Sequence, residues 1–112
     1  MPVVWRRQVW ISLDPGFARL APTAAAFPEP VVPLPPSSGD CCGFLEADDR
    51  GIWFMSIAPD GSARLLNLFD PSSGEVTELA TLDEGAPVAM AVAPNSVWIL
   101  NSDGTLTHLA VG

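Results

Sequence analysis

Three tryptophans that recur at nearly equal spacing constrain the fold of this chain more than any other feature of its sequence. Consecutive members lie 43 and 45 residues apart, and each stands between an aliphatic residue and an apolar one. Each segment then enters a turn that ends in glycine, and these glycines lie 45 and 43 residues apart. The repeat residues are Trp10, Trp53, Trp98, Gly16, Gly61 and Gly104. Since tryptophan is rare, the match of both residue types indicates an internal repeat.

A repeat of about 40–45 residues has the length of one four-stranded blade of a β-propeller. The sequence therefore predicts an all-β fold: a partial β-propeller, with one complete four-stranded antiparallel blade flanked by two incomplete blades. We expect a single propeller-like unit over residues 1–112. Residues 1–40 would form a partial first blade and a proline-rich connection, residues 41–85 the complete blade, and residues 86–112 a partial last blade.

Apolar runs separated by glycine, proline and acidic residues locate the strands. The complete blade is expected to have strands near 42–47, 51–57, 63–70 and 75–82. The first blade is expected to have no strand before Trp10, two strands near 8–13 and 17–20, and a further one near 30–34. The last blade is expected to have strands near 88–93, 96–101 and 105–111, without a fourth.

The side-chain pattern of these strands predicts their burial. Residues 88–93 and 96–101 are apolar on both alternating faces, which indicates burial on both faces between neighbouring blades. Residues 75–82 mix acids and threonines with apolar side chains, which is typical of an outer, partly solvated strand. The three repeated tryptophans are expected to pack between blades.

Composition limits the classes of partner. The chain of 112 residues is 48% hydrophobic and carries 13 acidic residues against five arginines and no lysine, for a net charge of −8. This balance argues against nucleic acid and against anionic membrane surfaces, since both require a basic surface. No run reaches the roughly 20 apolar residues of a membrane span, and the stretch after Arg6 and Arg7 is too short and polar for a signal peptide. We therefore expect a soluble protein without membrane insertion, and its compartment stays open.

Two turn motifs resemble a known family. Residues 58–61, Ala-Pro-Asp-Gly, and 93–98, Ala-Pro-Asn-Ser-Val-Trp, are similar to the hairpin of TolB-like, WD-type β-propeller repeats. Residues 69–76, Phe-Asp-Pro-Ser-Ser-Gly-Glu-Val, resemble the turn between the outer strands of such blades. The pair Asn95-Ser96 departs from the usual Asp-Gly.

The resemblance implies the C-terminal part of a bacterial propeller of the kind appended to kinases or winged-helix regulators. No kinase signature and no winged-helix region occur in this sequence. The implied function is a non-catalytic scaffold for protein interaction or ligand sensing that forms part of a larger protein. The family analogy also allows a periplasmic location.

The residue types that carry chemistry do not form a recognisable set. Cys41 and Cys42 are adjacent, which leaves open a vicinal disulfide or two small residues at the start of a buried strand; metal ligands are usually spaced. His108 is the single histidine, is placed on an outer strand, and no Gly-x-Ser-x-Gly elbow is present. The acid pairs 48–49 and 83–84 suit solvated turns. We therefore predict no catalytic, cofactor-binding or metal-binding residues.

One complete and two partial blades leave apolar faces and strand edges open. A chain of this kind would be part of a longer protein, close a ring with copies of itself, or curl into a small sandwich. The expected partner is therefore a protein, or a second copy bound through the open edges. Rival hypotheses are an accessory propeller piece of a hydrolase or peptidase, and a non-functional gene fragment. The isolated chain is expected to self-associate or to be poorly soluble.

Overall fold

In the computed structural model, the described residues are 2–13, 16–20, 32–33, 40–82 and 86–111. Their regular structure is entirely β, in eleven strands that form three antiparallel sheets. Each sheet takes its strands from its own stretch of chain, and within the described residues none of them closes into a barrel. The prediction of an all-β fold is confirmed.

Sheet A contains four strands, in the order β1 (Pro2–Trp5), β2 (Gln8–Leu13), β3 (Gly16–Leu20) and β4 (Val32–Pro33). The expectation that no strand precedes Trp10 is wrong, since β1 pairs with β2. The turn between them places Arg6 and Arg7 at φ values of 46° and 65°. Two-residue hairpin turns usually place glycine or asparagine at such angles, so this turn lacks the expected signal.

Sheet B contains β5 (Asp40–Asp48), β6 (Gly51–Ile57), β7 (Arg64–Asp70) and β8 (Glu75–Leu82), paired in that order. All four strands predicted for residues 41–85 are present. The pairing of β5 with β6 shifts register twice, and Phe44 lies at the second shift with a φ of 56°. Gly43 is the one residue near these shifts that is typical of a β-bulge, and a single glycine is too weak a signal to predict them.

Sheet C contains three strands among the described residues: β9 (Pro87–Ala93), β10 (Ser96–Asn101) and β11 (Leu106–Ala110), with β10 in the centre. Their bounds agree to within one residue with the strands predicted at 88–93, 96–101 and 105–111.

The three sheets are stacked in chain order, with sheet B in the middle. The first strands lie side by side, because β1 contacts β5 and β5 contacts β9. We call the face that a sheet turns toward the next sheet along the chain its front face, and the opposite face its back face. Two apolar cores follow from this order, one between sheets A and B and one between sheets B and C.

The first core joins the front face of sheet A to the back face of sheet B. Phe17 stacks on Phe69 with ring centroids 4.9 Å apart, and Trp10 meets the same phenylalanine edge-on at 5.4 Å. Such aromatic pairs add about 0.5–1.5 kcal/mol to the burial of their area. The buried members of this core are Trp5, Trp10, Phe17, Ile52, Phe54 and Phe69.

The second core joins the front face of sheet B to the back face of sheet C. Its buried members are Trp53, Met55, Leu66, Met90, Val97 and Ile99. Strand β6 contributes to both cores, because alternate side chains of a strand point to opposite faces. Its residues from Gly51 to Ser56 are all buried. An apolar strand in the middle sheet is therefore covered on both sides.

Strands β9 and β10 were also expected to be buried on both faces, and this prediction is wrong. In β10 the side chains alternate: Val97 and Ile99 are buried on the back face, while Trp98 and Leu100 are exposed on the front face. In β9 Met90 is the buried residue. No sheet among the described residues covers the front face of sheet C, so one side of its strands stays in contact with solvent. Strand β8 is largely exposed, as predicted for an outer strand.

Candidate interaction surface

The front face of sheet C is an apolar surface built by alternation along its three strands. Pairing places Trp98 between Ala91 of β9 and His108 of β11, and Leu100 between Ala89 and Leu106. These six residues are exposed. The described part of this face has no Asp, Glu or Arg side chain. Contiguous apolar surface of this kind on a soluble protein is typical of an interaction site.

An aromatic pair forms the centre of this face. The imidazole of His108 stacks on the indole of Trp98, with ring centroids 4.2 Å apart and an angle of 22° between the planes. Ala89 and Ala91 lie on the β9 side of the indole, Leu100 follows it on the same strand, and Leu106 lies diagonal to it on β11. Tryptophan, the largest side chain of this face, is among the residue types most enriched at the energetic centre of protein interfaces.

The back face of sheet A carries a second exposed apolar surface along its first two strands. Val4 of β1 pairs with Val9 of β2, and Pro2 pairs with Ile11 on the same face. Val4 and Val9 are exposed and Ile11 is half-buried, whereas Ala18, which pairs with Ile11 on this face, is fully buried. The exposed part of the face therefore lies along β1 and the start of β2. The described residues of this face likewise lack charged side chains.

The first turns of successive sheets are linked by arginines. Arg6 lies over the ring of Trp5 at 4.5 Å and donates a hydrogen bond to the carbonyl oxygen of Asp49 in the next sheet. Arg50 repeats the arrangement one sheet later. It lies over the ring of Trp53 at 4.6 Å and donates to the carbonyl oxygen of Ala93.

A shallow depression of about 310 Å³ lies beside the second of these links, between the β5–β6 and β9–β10 turns. Asp48 accepts two hydrogen bonds from the Arg50 guanidinium, and its other oxygen accepts one from the Arg50 backbone N–H. Burial alone would raise the pKa of Asp48, but the hydrogen bonds and positive charge of Arg50 lower that pKa below its ordinary value. Asp48 and Arg50 therefore neutralise each other at the edge of the depression.

The three repeated tryptophans occupy the same place in their sheets. Each lies in the second strand, and each points from the front face. Their exposed fractions nevertheless differ: Trp10 is 6% exposed, Trp53 is 1% exposed, and Trp98 is 42% exposed. The prediction that the repeated tryptophans pack between sheets is thus confirmed for Trp10 and Trp53. It is wrong for Trp98, because no described sheet follows sheet C.

The repeated glycines do not all occupy equivalent positions. Gly61 and Gly104 lie in the second turns of sheets B and C, at φ values of 74° and 87°. Gly16 instead begins β3 and pairs with Leu13. Fewer residues separate β2 from β3 than separate β6 from β7, so the glycine falls within the strand.

Cys41 and Cys42 lie in β5, opposite the irregular part of its pairing with β6. Their side chains lie outside the described part of the structure, so the vicinal disulfide stays a prediction. The acid pair at residues 83–84 also lies outside the described residues.

Other carboxylates are engaged in turns. Asp60, Asp70 and Asp103 each accept hydrogen bonds from the backbone N–H and the hydroxyl of the residue two positions later. These bonds to the ionised form lower the pKa of each aspartate. Over the described ranges, no group of three or more histidine, cysteine or acidic residues could hold a metal ion. The same ranges contain no helix long and apolar enough to cross a membrane.

Comparisons with protein-family models, with curated proteins and with solved structures found no match to this chain.

Proposed function

We propose that the chain is a run of three consecutive blades of the β-propeller type, acting as a non-catalytic scaffold for protein interaction or ligand sensing. The binding surface in this proposal is the front face of sheet C, centred on Trp98 and His108. The exposure of this apolar face on an otherwise well-packed stack of sheets is the observation that carries the proposal.

The pairing register supports the assignment of blades. On the front faces, the repeated tryptophans pair with Val3, Glu46 and Ala91 of the preceding strand. On the back faces, the residue before each tryptophan pairs across the same two strands: Val4 with Val9, Ala47 with Ile52, and Val92 with Val97. The first two strands of all three sheets are thus paired in equal register, which supports a repeated unit. The resemblance of the turns to TolB-like repeats agrees with this assignment and stays a prediction.

The engagement of the polar side chains supports a non-catalytic function. General acid–base and nucleophilic catalysis require a nucleophile and a base within hydrogen-bond reach of each other. Among the described residues, His108 stacks on Trp98, Asp48 is paired with Arg50, and Asn67 donates to Ser56 in the core. An apolar surface such as the front face of sheet C binds a partner mainly through the burial of apolar area.

Site-specific photo-cross-linking tests the proposed surface. A benzoylphenylalanine at position 106, on the front face of sheet C, is expected to cross-link to protein in cells that express the chain. The same group at position 79, an exposed leucine of β8, is the matched control and is expected to give no specific product. Mass spectrometry identifies each product, and the Trp98→Glu substitution is expected to abolish it. Equal labelling from both positions, or no product from position 106, contradicts the proposed surface.

A further inference from the structure

The molecule contains one type of sheet contact twice. The front face of sheet A covers the back face of sheet B, and the front face of sheet B covers the back face of sheet C. In each contact a tryptophan of the second strand points into the back face of the next sheet. Each core also contains a back-face pair from the first two strands of the next sheet, Ala47 with Ile52 and Val92 with Val97.

The residues that correspond to the centre of a third such contact are exposed on the same molecule. Trp98 points from the front face of sheet C in the position that Trp10 and Trp53 occupy in their own sheets. Val4 and Val9 form on sheet A the back-face pair that the next sheet offers in the two contacts already present. Both surfaces are apolar, and their described residues lack charges that would oppose contact.

We infer that the front face of sheet C binds the back face of sheet A of a second copy of this chain, so that copies associate head to tail. This inference rests on the proposed function, because it names the protein partner of the same surface. The contact joins unlike faces, so repeated contacts form a closed ring or a filament. The chain supplies both complementary surfaces, and a copy of itself therefore reproduces the two contacts seen within the molecule.

Sedimentation velocity of the purified full chain over a concentration series tests the contact. We expect the wild-type chain to associate as its concentration rises. Val4→Glu and Trp98→Glu should each weaken this association at least about 30-fold, because each places a charge in the centre of an apolar contact. Leu79→Glu is the matched control, since Leu79 is 40% exposed on β8, outside both faces, and it should leave association unchanged.

An equimolar mixture of the two glutamate variants tests the head-to-tail direction. The Val4→Glu copy keeps an intact front face on sheet C, and the Trp98→Glu copy keeps an intact back face on sheet A. We therefore expect the mixture to form a one-to-one complex, although neither variant associates alone. Circular dichroism checks that each variant is folded. If one is not, Leu106→Glu replaces Trp98→Glu, and Val4→Ser replaces Val4→Glu.

Two results overturn the inference. If Val4→Glu associates alone as tightly as the wild type, the contact joins two front faces instead. If the wild-type chain stays monomeric at every concentration, no such contact exists. Cross-linking from position 106 to a different protein, together with a monomeric chain, contradicts head-to-tail association and leaves the scaffold proposal standing.

Discussion

At the scale of single residues, Gly51 shows how closely two strands approach at the start of sheet B. Its φ is +145°, and a Cβ at this position would lie 2.2 Å from the carbonyl oxygen of Phe69. That oxygen belongs to the backbone of β7, which pairs with β6 and cannot move without breaking the sheet. A hydrogen at this position is therefore a steric requirement of the pairing.

Gly51→Ala is accordingly expected to lower the free energy of unfolding by about 3 kcal/mol or more, because it adds a backbone clash to an unfavourable φ. Gly61→Ala is the control: its φ is +74°, and no atom lies within 4 Å of an added Cβ. It should cost only about 1 kcal/mol, the penalty of a left-handed backbone. Urea denaturation measures both, and equal losses for the two variants would contradict the assigned clash.

The Asp48–Arg50 pair predicts a pH dependence of stability. Because the folded protein lowers the pKa of Asp48, ionised Asp48 stabilises the fold above the ordinary carboxyl pKa near about 4. That contribution is lost as the pH falls through the lower pKa of the folded state. Asp48→Asn should therefore cost about 1 kcal/mol at neutral pH and progressively less below about pH 4.

Urea unfolding at a series of pH values measures the difference between wild type and Asp48→Asn. In an Arg50→Met background the same comparison should lose most of its pH dependence, since Arg50 supplies the hydrogen bonds and charge that lower the pKa. A wild-type-to-variant difference that stays constant down to about pH 2.5 is incompatible with the pair.

At the scale of elements, the strands of sheet B could be predicted because each is bounded by turn residues whose geometry requires them. Asp60 and Gly61 form one such turn, with the carboxylate bonded to Ser62. Strand β1 could not be predicted, because its turn places Arg6 and Arg7 at positive φ. Arg6 gains a stacking contact with Trp5 and a bond to the next sheet there, and neither is visible in the sequence.

The candidate surface could be predicted only in part. The repeat predicted that Trp98 lies where Trp10 and Trp53 lie, and the pairing register agrees. Its exposure did not follow from the local sequence, since residues 96–101 are as apolar as residues 51–57. A strand is buried on both faces only when another sheet packs on each face. The presence of those sheets depends on the arrangement of the whole molecule and not on the strand's own sequence.

Equivalent tryptophans in covered and uncovered sheets should therefore differ in their contribution to stability. Trp53→Ala opens a large cavity between sheets B and C and is expected to cost about 3–5 kcal/mol. Trp98→Ala removes a side chain that already contacts solvent, and at dilute concentration it should cost only about 1 kcal/mol. Urea unfolding of both variants at the same low concentration measures the difference. Similar losses would show that Trp98 is covered in the monomer.

At the scale of the whole molecule, three sheets stack in one direction and leave apolar side chains exposed at each end, Val4 and Val9 on sheet A and Trp98 and Leu100 on sheet C. The molecule measures 42 × 31 × 23 Å. Its radius of gyration of 14.0 Å is close to the roughly 13 Å expected for a compact domain of this length. The stack is therefore compact as a whole. The position of each tryptophan in this stack, covered or uncovered, is the central claim.

Fluorine NMR of the chain labelled with 5-fluorotryptophan tests this claim most directly. The shift of each resonance between H2O and D2O reports the solvent exposure of one indole, and Trp98→Phe assigns the decisive signal. In dilute samples we expect a large solvent shift for Trp98 and small ones for Trp10 and Trp53, with Trp98 becoming protected as the concentration rises. A Trp98 signal as protected as the other two in the dilute sample, or an exposed Trp10 or Trp53, would contradict the account.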